Sequence, residues 1–323
     1  MSNTAVTYLV FGAVLLVALV FDLGLLSKKN KTITIKQALW QTVFWVSLGM
    51  GFFGFVWYEQ GSVSAFEYLS AYLMEWSLSV DNIFVFILIF SSFGVKETYI
   101  PRVLLIGIMM AIVFRVIFIT VGVALVQQFG WILYIFGAFL VYTGYKMFKA
   151  DAEKEEDPHD SKIYRFLKKV LPLVNNDGGG KYVIRQNGKR FYTSLFVVVI
   201  MLAAIDLVFA LDSIPAVMGI STDPLVIYTS NIFAVLGLRS LFFLLRGAVD
   251  KFEYLPQGIA IVLIFIGVKM LAEDLIHDYI DKGTMIAISL GVIVVCLAGA
   301  IWYSIKHQKP GVPPKVEDGS IDL

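Results

Sequence analysis

The sequence predicts an all-α polytopic membrane protein of about nine spans, six of which form a 3+3 inverted-topology repeat. Three observations predict it. Of 323 residues, 58% are hydrophobic and only 16% charged, and the mean hydropathy is strongly positive, as in a chain that buries most of its length in lipid. Two of the apolar runs carry matching acidic stretches, Glu75-Trp-Ser-Leu-Ser-Val-Asp81-Asn82 and Asp206-Leu-Val-Phe-Ala-Leu-Asp212-Ser213, with carboxylates six positions apart in both. After each stretch the same order follows: an arginine in the next span (Arg115, Arg239), then Gly-x-Lys-Met at the end of the span after that (Gly144 to Met147, Gly267 to Met270).

In chain order the spans fall at about 5–26, 39–58, 66–93, 103–126, 131–148, 193–219, 225–246, 256–276 and 283–305. The first lacks a basic leader and a small-residue cleavage site, so it reads as a span and not a signal peptide. The third and sixth are overlong, which predicts tilt or a break. The organisation is then 1–65 as peripheral spans one and two, 66–148 as one repeat unit, 149–192 as a polar linker, 193–276 as the second unit, 277–305 as span nine and 306–323 as a Pro-containing disordered tail. Three spans per unit is an odd number, so the second unit enters the membrane from the opposite face, and the shared site lies near the midplane between the units.

Lysine and arginine set the orientation. Lys28, Lys29, Lys31 and Lys36, then Lys96 and Arg102, then ten basic residues in 149–192, then Lys251 and the tail lysines all fall on one side. The other side has Lys282. The basic side is expected to be cytoplasmic, with the N-terminus outside and the C-terminus inside. Within 149–192, Glu153 to Asp160 read as a solvated acidic linker. Ile163, Phe166, Leu167, Val170, Leu171 and Val174 form a helical stripe flanked by Lys162, Arg165, Lys168 and Lys169, as in a helix on the inner membrane surface. Tyr182 to Tyr192, turning at Asn187-Gly188, reads as a small hairpin.

Carboxylates inside a span are costly and mark a pathway or site. At 100° per residue, Ser79 and Asn82 fall within about 40° of Glu75, whereas Asp81 points about 120° away; Asp206, Ser213 and Asp212 repeat this geometry. Pro215 favours a local break near Asp212-Ser213-Ile214 that would re-aim Asp212 and free carbonyls. The candidate ligands are therefore Glu75, Asp81, Asn82, Asp206, Asp212 and Ser213, with Ser79, Asn231, Arg115 and Arg239 in support. Carboxylate, amide and hydroxyl oxygens suit a hard dication such as Mn²⁺, Ca²⁺ or Mg²⁺. The three histidines lie outside the spans and the one cysteine, Cys296, gives neither a disulfide nor a thiolate cluster, which disfavours Zn²⁺ and Cu⁺. Four carboxylates against one dication leave excess negative charge, to be offset by Arg115, Arg239 or bound protons, and proton release on metal binding would couple the two fluxes.

Several function classes drop out. A net charge of +1 implies no nucleic-acid partner. No phosphate-binding Gly-x-x-x-x-Gly-Lys-[Ser/Thr] loop occurs, which leaves a gradient-driven carrier or a channel. No catalytic residue and no cofactor are expected. The enzymatic rival, an intramembrane aspartyl protease, needs one acid in each of two spans, but its Gly-x-Gly-Asp context is missing and a second acid in each motif would be superfluous. A scaffold that delivers metal to secreted proteins, docking through 149–192, stays open beside transport.

The motifs Glu-x-x-Leu-Ser-x-Asp-Asn (75–82) and Asp-x-x-Phe-Ala-x-Asp-Ser-Ile-Pro-Ala (206–216), with Asn231 to Arg239 and Phe265 to Met270, resemble the TerC family of integral membrane proteins, close to its Alx-like branch. The resemblance covers about residues 5–305. It implies a LysE-like transporter fold in a bacterial inner membrane, with Mn²⁺ export as the leading role. Ca²⁺ transport, tellurite resistance and metal loading of secreted proteins are associated roles. It also implies that Glu75, Asp81, Asn82, Asp206, Asp212 and Ser213 carry the function.

Overall fold

The computed structural model describes residues 7, 9–17, 33–149, 158–186, 188–246, 254–276 and 279–307, with the backbone alone for Asp81, Asp274 and Ile276. Most of the first span with Asp22, the acidic run Glu153 to Asp157, and the tail lie outside the described residues.

The helices are α1 (Ile35–Gln60), α2 (Ser62–Ser92), α3 (Ile100–Gln128), α4 (Ile132–Lys149), α5 (Lys162–Val170), α6 (Ser194–Met218), α7 (Pro224–Leu245), α8 (Leu255–Leu271), the single turn α9 (Glu273–Ile276) and α10 (Lys282–Lys306). Residues 9–17 are also helical. The protein is thus all-α apart from one hairpin, and it is a multi-pass membrane protein: six of these helices are long and apolar enough to cross a bilayer, while α8 has 17 residues. At 1.5 Å per residue α2 is about 46 Å long, well beyond a hydrocarbon core of about 30 Å.

Local signals explain the helix ends. Thr34 caps α1 in a reciprocal box with Gln37, Asp223 and Asp281 cap α7 and α10 through their side chains, and Pro101, Pro224 and Pro256 occupy first-turn positions where a missing N–H costs nothing. The break anticipated at Asp212 to Ile214 is not present: α6 runs unbroken from Ser194 to Met218. Pro215 lies so near the helix end that its missing donor and ring clash fall in the last turns, and the helix still closes through Gly219 N–H to the Pro215 carbonyl at 2.9 Å. Nor is α2 broken across Glu75 to Asn82.

The principal contacts run α2 on α7, α3 on α6 and α4 on α8, with α1 on α7 and α2, and α10 on α8 and α2. Helix α7 is buried along nearly all its length. Helices α1, α3 and α10 present Trp40, Phe44, Ile117, Val121, Val295 and Trp302 outward, as lipid-facing surfaces do. Small residues allow the closest crossing: a Cβ on Gly144 would lie 2.7 Å from the Ala260 carbonyl oxygen, and one on Gly267 2.6 Å from that of Gly137. The Gly-x-Lys-Met glycines therefore interlock α4 and α8.

At one end of the bundle, β1 (Val183–Gln186) and β2 (Lys189–Tyr192) pair antiparallel, Val183 opposite Tyr192 and Gln186 opposite Lys189. The turn is closed by Gly188 at φ +78°, a left-handed position that glycine occupies without a Cβ clash. Arg102 stacks over Tyr182, and Lys96 pairs with Asp177 at 2.6 Å, which ties this segment to the start of α3.

Candidate functional site

Four helices each send one polar side chain to a common buried point. Glu75 comes from α2, Arg115 from α3, Asp206 from α6 and Asn231 from α7, all between 0% and 2% exposed. The Arg115 guanidinium is the hub. Its Nε and Nη2 donate to Asp206 Oδ2 and Oδ1 at 2.8 and 3.0 Å, a bidentate fork. Its Nη1 donates to Glu75 Oε2 at 2.6 Å and to Asn231 Oδ1 at 3.2 Å. Asn231 Nδ2 then donates to Glu75 Oε1 at 2.7 Å, closing a ring. Every oxygen of both carboxylates accepts a bond, so the charges that burial would penalise are held by fixed donors. With both acids ionised the network carries one net negative charge.

Beyond this network the same helix faces hold further buried polar atoms. Among the described residues, Ser79 Oγ, both amide atoms of Asn82, and Ser213 Oγ are buried without a hydrogen-bond partner. Ser79 and Asn82 follow Glu75 by one and two turns of α2, and Ser213 follows Asp206 by two turns of α6. Because α2 and α6 enter from opposite ends of the bundle, these oxygens extend the polar stripe from the network in both directions. Buried groups of this kind cost about 1–3 kcal/mol each when left unpaired.

The remaining candidates stand apart. Asp212 is half-buried and faces Thr143 and Lys146 of α4. On an unbroken α6 it projects about 120° away from Asp206 and about 9 Å along the axis, so it does not join the network. Arg239 is buried on α7, eight residues beyond Asn231. The Asp81 side chain lies outside the described residues. Among the described residues no group of three His, Cys, Asp or Glu side chains sits at metal-ligating spacing.

Sequence reasoning passed over Glu67. It is 1% exposed, accepts from Ser221 Oγ at 2.6 Å, and pairs with Lys282 Nζ at 2.8 Å. Lys269 Nζ, near the same end, donates to the Gly219 carbonyl at 3.1 Å, at the C-terminal end of α6 where a cation is favoured. The signal was available: Lys282 is the exception to the basic-residue bias, and an exception of that kind asks for an acidic partner.

Residues 60–310 match the model of a family described as integral membrane protein TerC. The chain is 42% identical over 295 residues to the uncharacterized membrane protein STKORF319 of Myxococcus xanthus, covering 91% of this chain and 90% of that one. It is 39% identical over 291 residues to an uncharacterized membrane protein of Rickettsia bellii, covering 90% and 95%. It is also 39% identical over 322 residues to a protein of Escherichia coli O157:H7 provisionally named a membrane-bound redox modulator, Alx, covering 96% and 99%. No solved structure matches the chain.

Proposed function

The chain belongs to the integral membrane protein TerC family, and we propose that it is a secondary transporter that exports a hard divalent cation, Mn²⁺ first and Ca²⁺ second, across a bacterial inner membrane. The observation that carries this reading is the central network: two carboxylates from different helices clasp one guanidinium, and unpartnered buried oxygens continue the stripe on either side. Arg115 stands where a cation is held between Glu75 and Asp206. Two carboxylates balance a dication in charge, and the Asn231 amide, Ser79, Asn82 and Ser213 supply further oxygens of the kind such an ion prefers.

In this reading transport alternates between the closed ring and a state in which Arg115 releases one acid and the ion takes its place. A dication added to a network of net charge −1 brings it to +1, and loss of one proton from a neighbouring carboxyl brings the site to neutrality, which couples metal to proton flux. The helix contacts support the two-unit architecture: exchanging α2 with α6, α3 with α7 and α4 with α8 turns the α2–α7 contact into α6–α3 and leaves α4–α8 as it is, as a pseudo-two-fold relation requires. The orientation proposed places the hairpin and α5 in the cytoplasm.

The name carried by the Alx relatives points to redox. This chain has one cysteine, Cys296, so no dithiol couple forms within it, and we read a redox effect as following from the metal moved. The test is divalent-ion uptake into proteoliposomes over a panel of Mn²⁺, Ca²⁺, Mg²⁺ and Zn²⁺, with and without a pH gradient. Flux of Mn²⁺ that responds to the gradient is expected; no flux of any ion above protein-free vesicles would reject transport and leave the metal-delivery scaffold.

A further inference from the structure

The apolar stripe of α5 is divided between two surroundings. Leu167 is buried, and Ile163, Tyr164 and Leu171 pack on the apolar cluster to which α2, α3, α6 and α7 all contribute. Phe166 and Val170 are left outward, 64% and 58% exposed. On the helical wheel these two lie about 40° apart, between the protein-facing side and the cations Lys162 and Lys169. A helix facing only water has no reason to hold a phenylalanine and a valine there, and a helix packed only on protein has no reason to leave them uncovered.

The position of α5 is fixed at the end of the helix bundle. His159, just before it, bonds the carbonyl of Ser92 at 3.1 Å, and Ser92 is the last residue of α2; α5 itself packs on α6. The charge around it is one-sided. From Ser161 to Ile205 the sequence has eight basic residues and one acid, Asp177, which is already paired with Lys96 at 2.6 Å. The hairpin contributes half of that charge (Lys181, Arg185, Lys189, Arg190) and is tied to the membrane end of α3 through Arg102 over Tyr182.

We propose that α5 and the hairpin form a docking surface for anionic phospholipid headgroups of the adjacent leaflet, with Phe166 and Val170 seated at the headgroup–acyl boundary and the lysines and arginines in the phosphate layer. The pattern fits lipid better than a protein partner because the apolar pair is narrow, flanked by long cationic side chains, and set at the depth where the bundle helices end. The proposal does not rest on metal transport.

The test uses the full chain in nanodiscs with a nitroxide placed by Phe166→Cys or Val170→Cys in a Cys296→Ala background, with Arg165→Cys as the water-facing control and Leu167→Cys as the immobile one. In discs containing phosphatidylglycerol, the probes at 166 and 170 should collide several-fold more with oxygen than with a water-soluble nickel chelate, and the bias should shrink in pure phosphatidylcholine or when Lys162, Lys168 and Lys169 are all changed to Gln. Nickel access at 166 and 170 equal to that at 165 would overturn the docking. Equal bias in both lipids would overturn the headgroup assignment. Probes that are wet in nanodiscs but covered in native membranes would replace lipid with a protein partner.

Discussion

Asp206 and Asp212 share one unbroken helix, yet Asp206 is bonded through both oxygens to Arg115 in the dry centre of the bundle, while Asp212 is half-buried and faces Thr143 and Lys146. The same six-residue step separates Glu75 from Asp81. A repeated spacing therefore does not make the two acids of a motif equivalent. Six residues turn a helix by about 240°, so Asp206 meets Arg115, which also holds Glu75, while Asp212 turns toward α4. Glu75 and Asp206 tie α2, α3 and α6 together through Arg115, and Asp212 takes no part in that tie.

The largest effect expected of any single change is at the hub. Arg115→Leu leaves two carboxylates buried with no cation, which costs about 3–5 kcal/mol by the measure of broken buried pairs. A large drop in melting temperature and in membrane-inserted yield should follow, and Arg115→Lys, which keeps the charge and loses the fork, should lie between it and the wild type. A melting curve unchanged by Arg115→Leu would break the comparison at its root.

The two aspartates themselves sharpen it. Asp206→Asn removes the charge partner of the fork and should destabilise by about 1.5–3 kcal/mol. Asp212→Asn should shift stability by no more than about 0.5 kcal/mol. Equal melting shifts for the two variants would show that they occupy similar surroundings after all. A third change probes Asp212 through its neighbours. Gly144→Ala drives a Cβ to 2.7 Å from the Ala260 carbonyl, next to Thr143 and Lys146, and should cost about 1–3 kcal/mol while leaving an Arg115→Lys defect additive with it. Strong coupling between the two changes, measured as a double-mutant cycle, would join sites that the structure separates.

The smallest effect belongs to an exposed pair. Lys96 holds the Asp177 carboxyl below its ordinary range through a hydrogen bond, and Asp177 in turn raises the Lys96 ammonium. The acid's contribution is present above its unfolded pKa and is lost as pH falls through its lowered folded value. The lysine's contribution is present below its unfolded pKa and is lost as pH rises through its raised folded value. Protection of the hairpin amides from hydrogen exchange, after correction for intrinsic rates, should therefore stay flat across neutral pH and fall in acid. It should also weaken with salt, as an exposed pair does. A change of protection centred on neutral pH would point to another group.

The positions of the helices were legible because a bilayer demands long apolar runs, and the hairpin because Gly188 supplies the left-handed residue that its turn requires. The acids were legible as expensive residues in those runs. Their partners were not. Periodicity places Glu75, Ser79 and Asn82 on one face but says nothing of what that face meets, so Arg115 could be read as balancing charge without being read as the single bridge between Glu75 and Asp206. Pro215 misled because a proline's effect depends on its distance from the helix end: at the fourth position before Gly219 it sits in the last turn and opens no gap. Lys282, as the exception to the basic-residue bias, asked for an acidic partner but did not single out Glu67, because Ser221 and Lys282 lie more than 150 residues from it in the chain.

The central claim is that the two carboxylates clasped by Arg115 form the ion's site. The direct measurement is Mn²⁺ flux into proteoliposomes for the wild type, Glu75→Gln and Asp206→Asn, each first shown to be folded by its melting curve and by equal insertion. The account predicts gradient-driven flux in the wild type and flux at the protein-free level in both variants. Wild-type flux in either folded variant would contradict it.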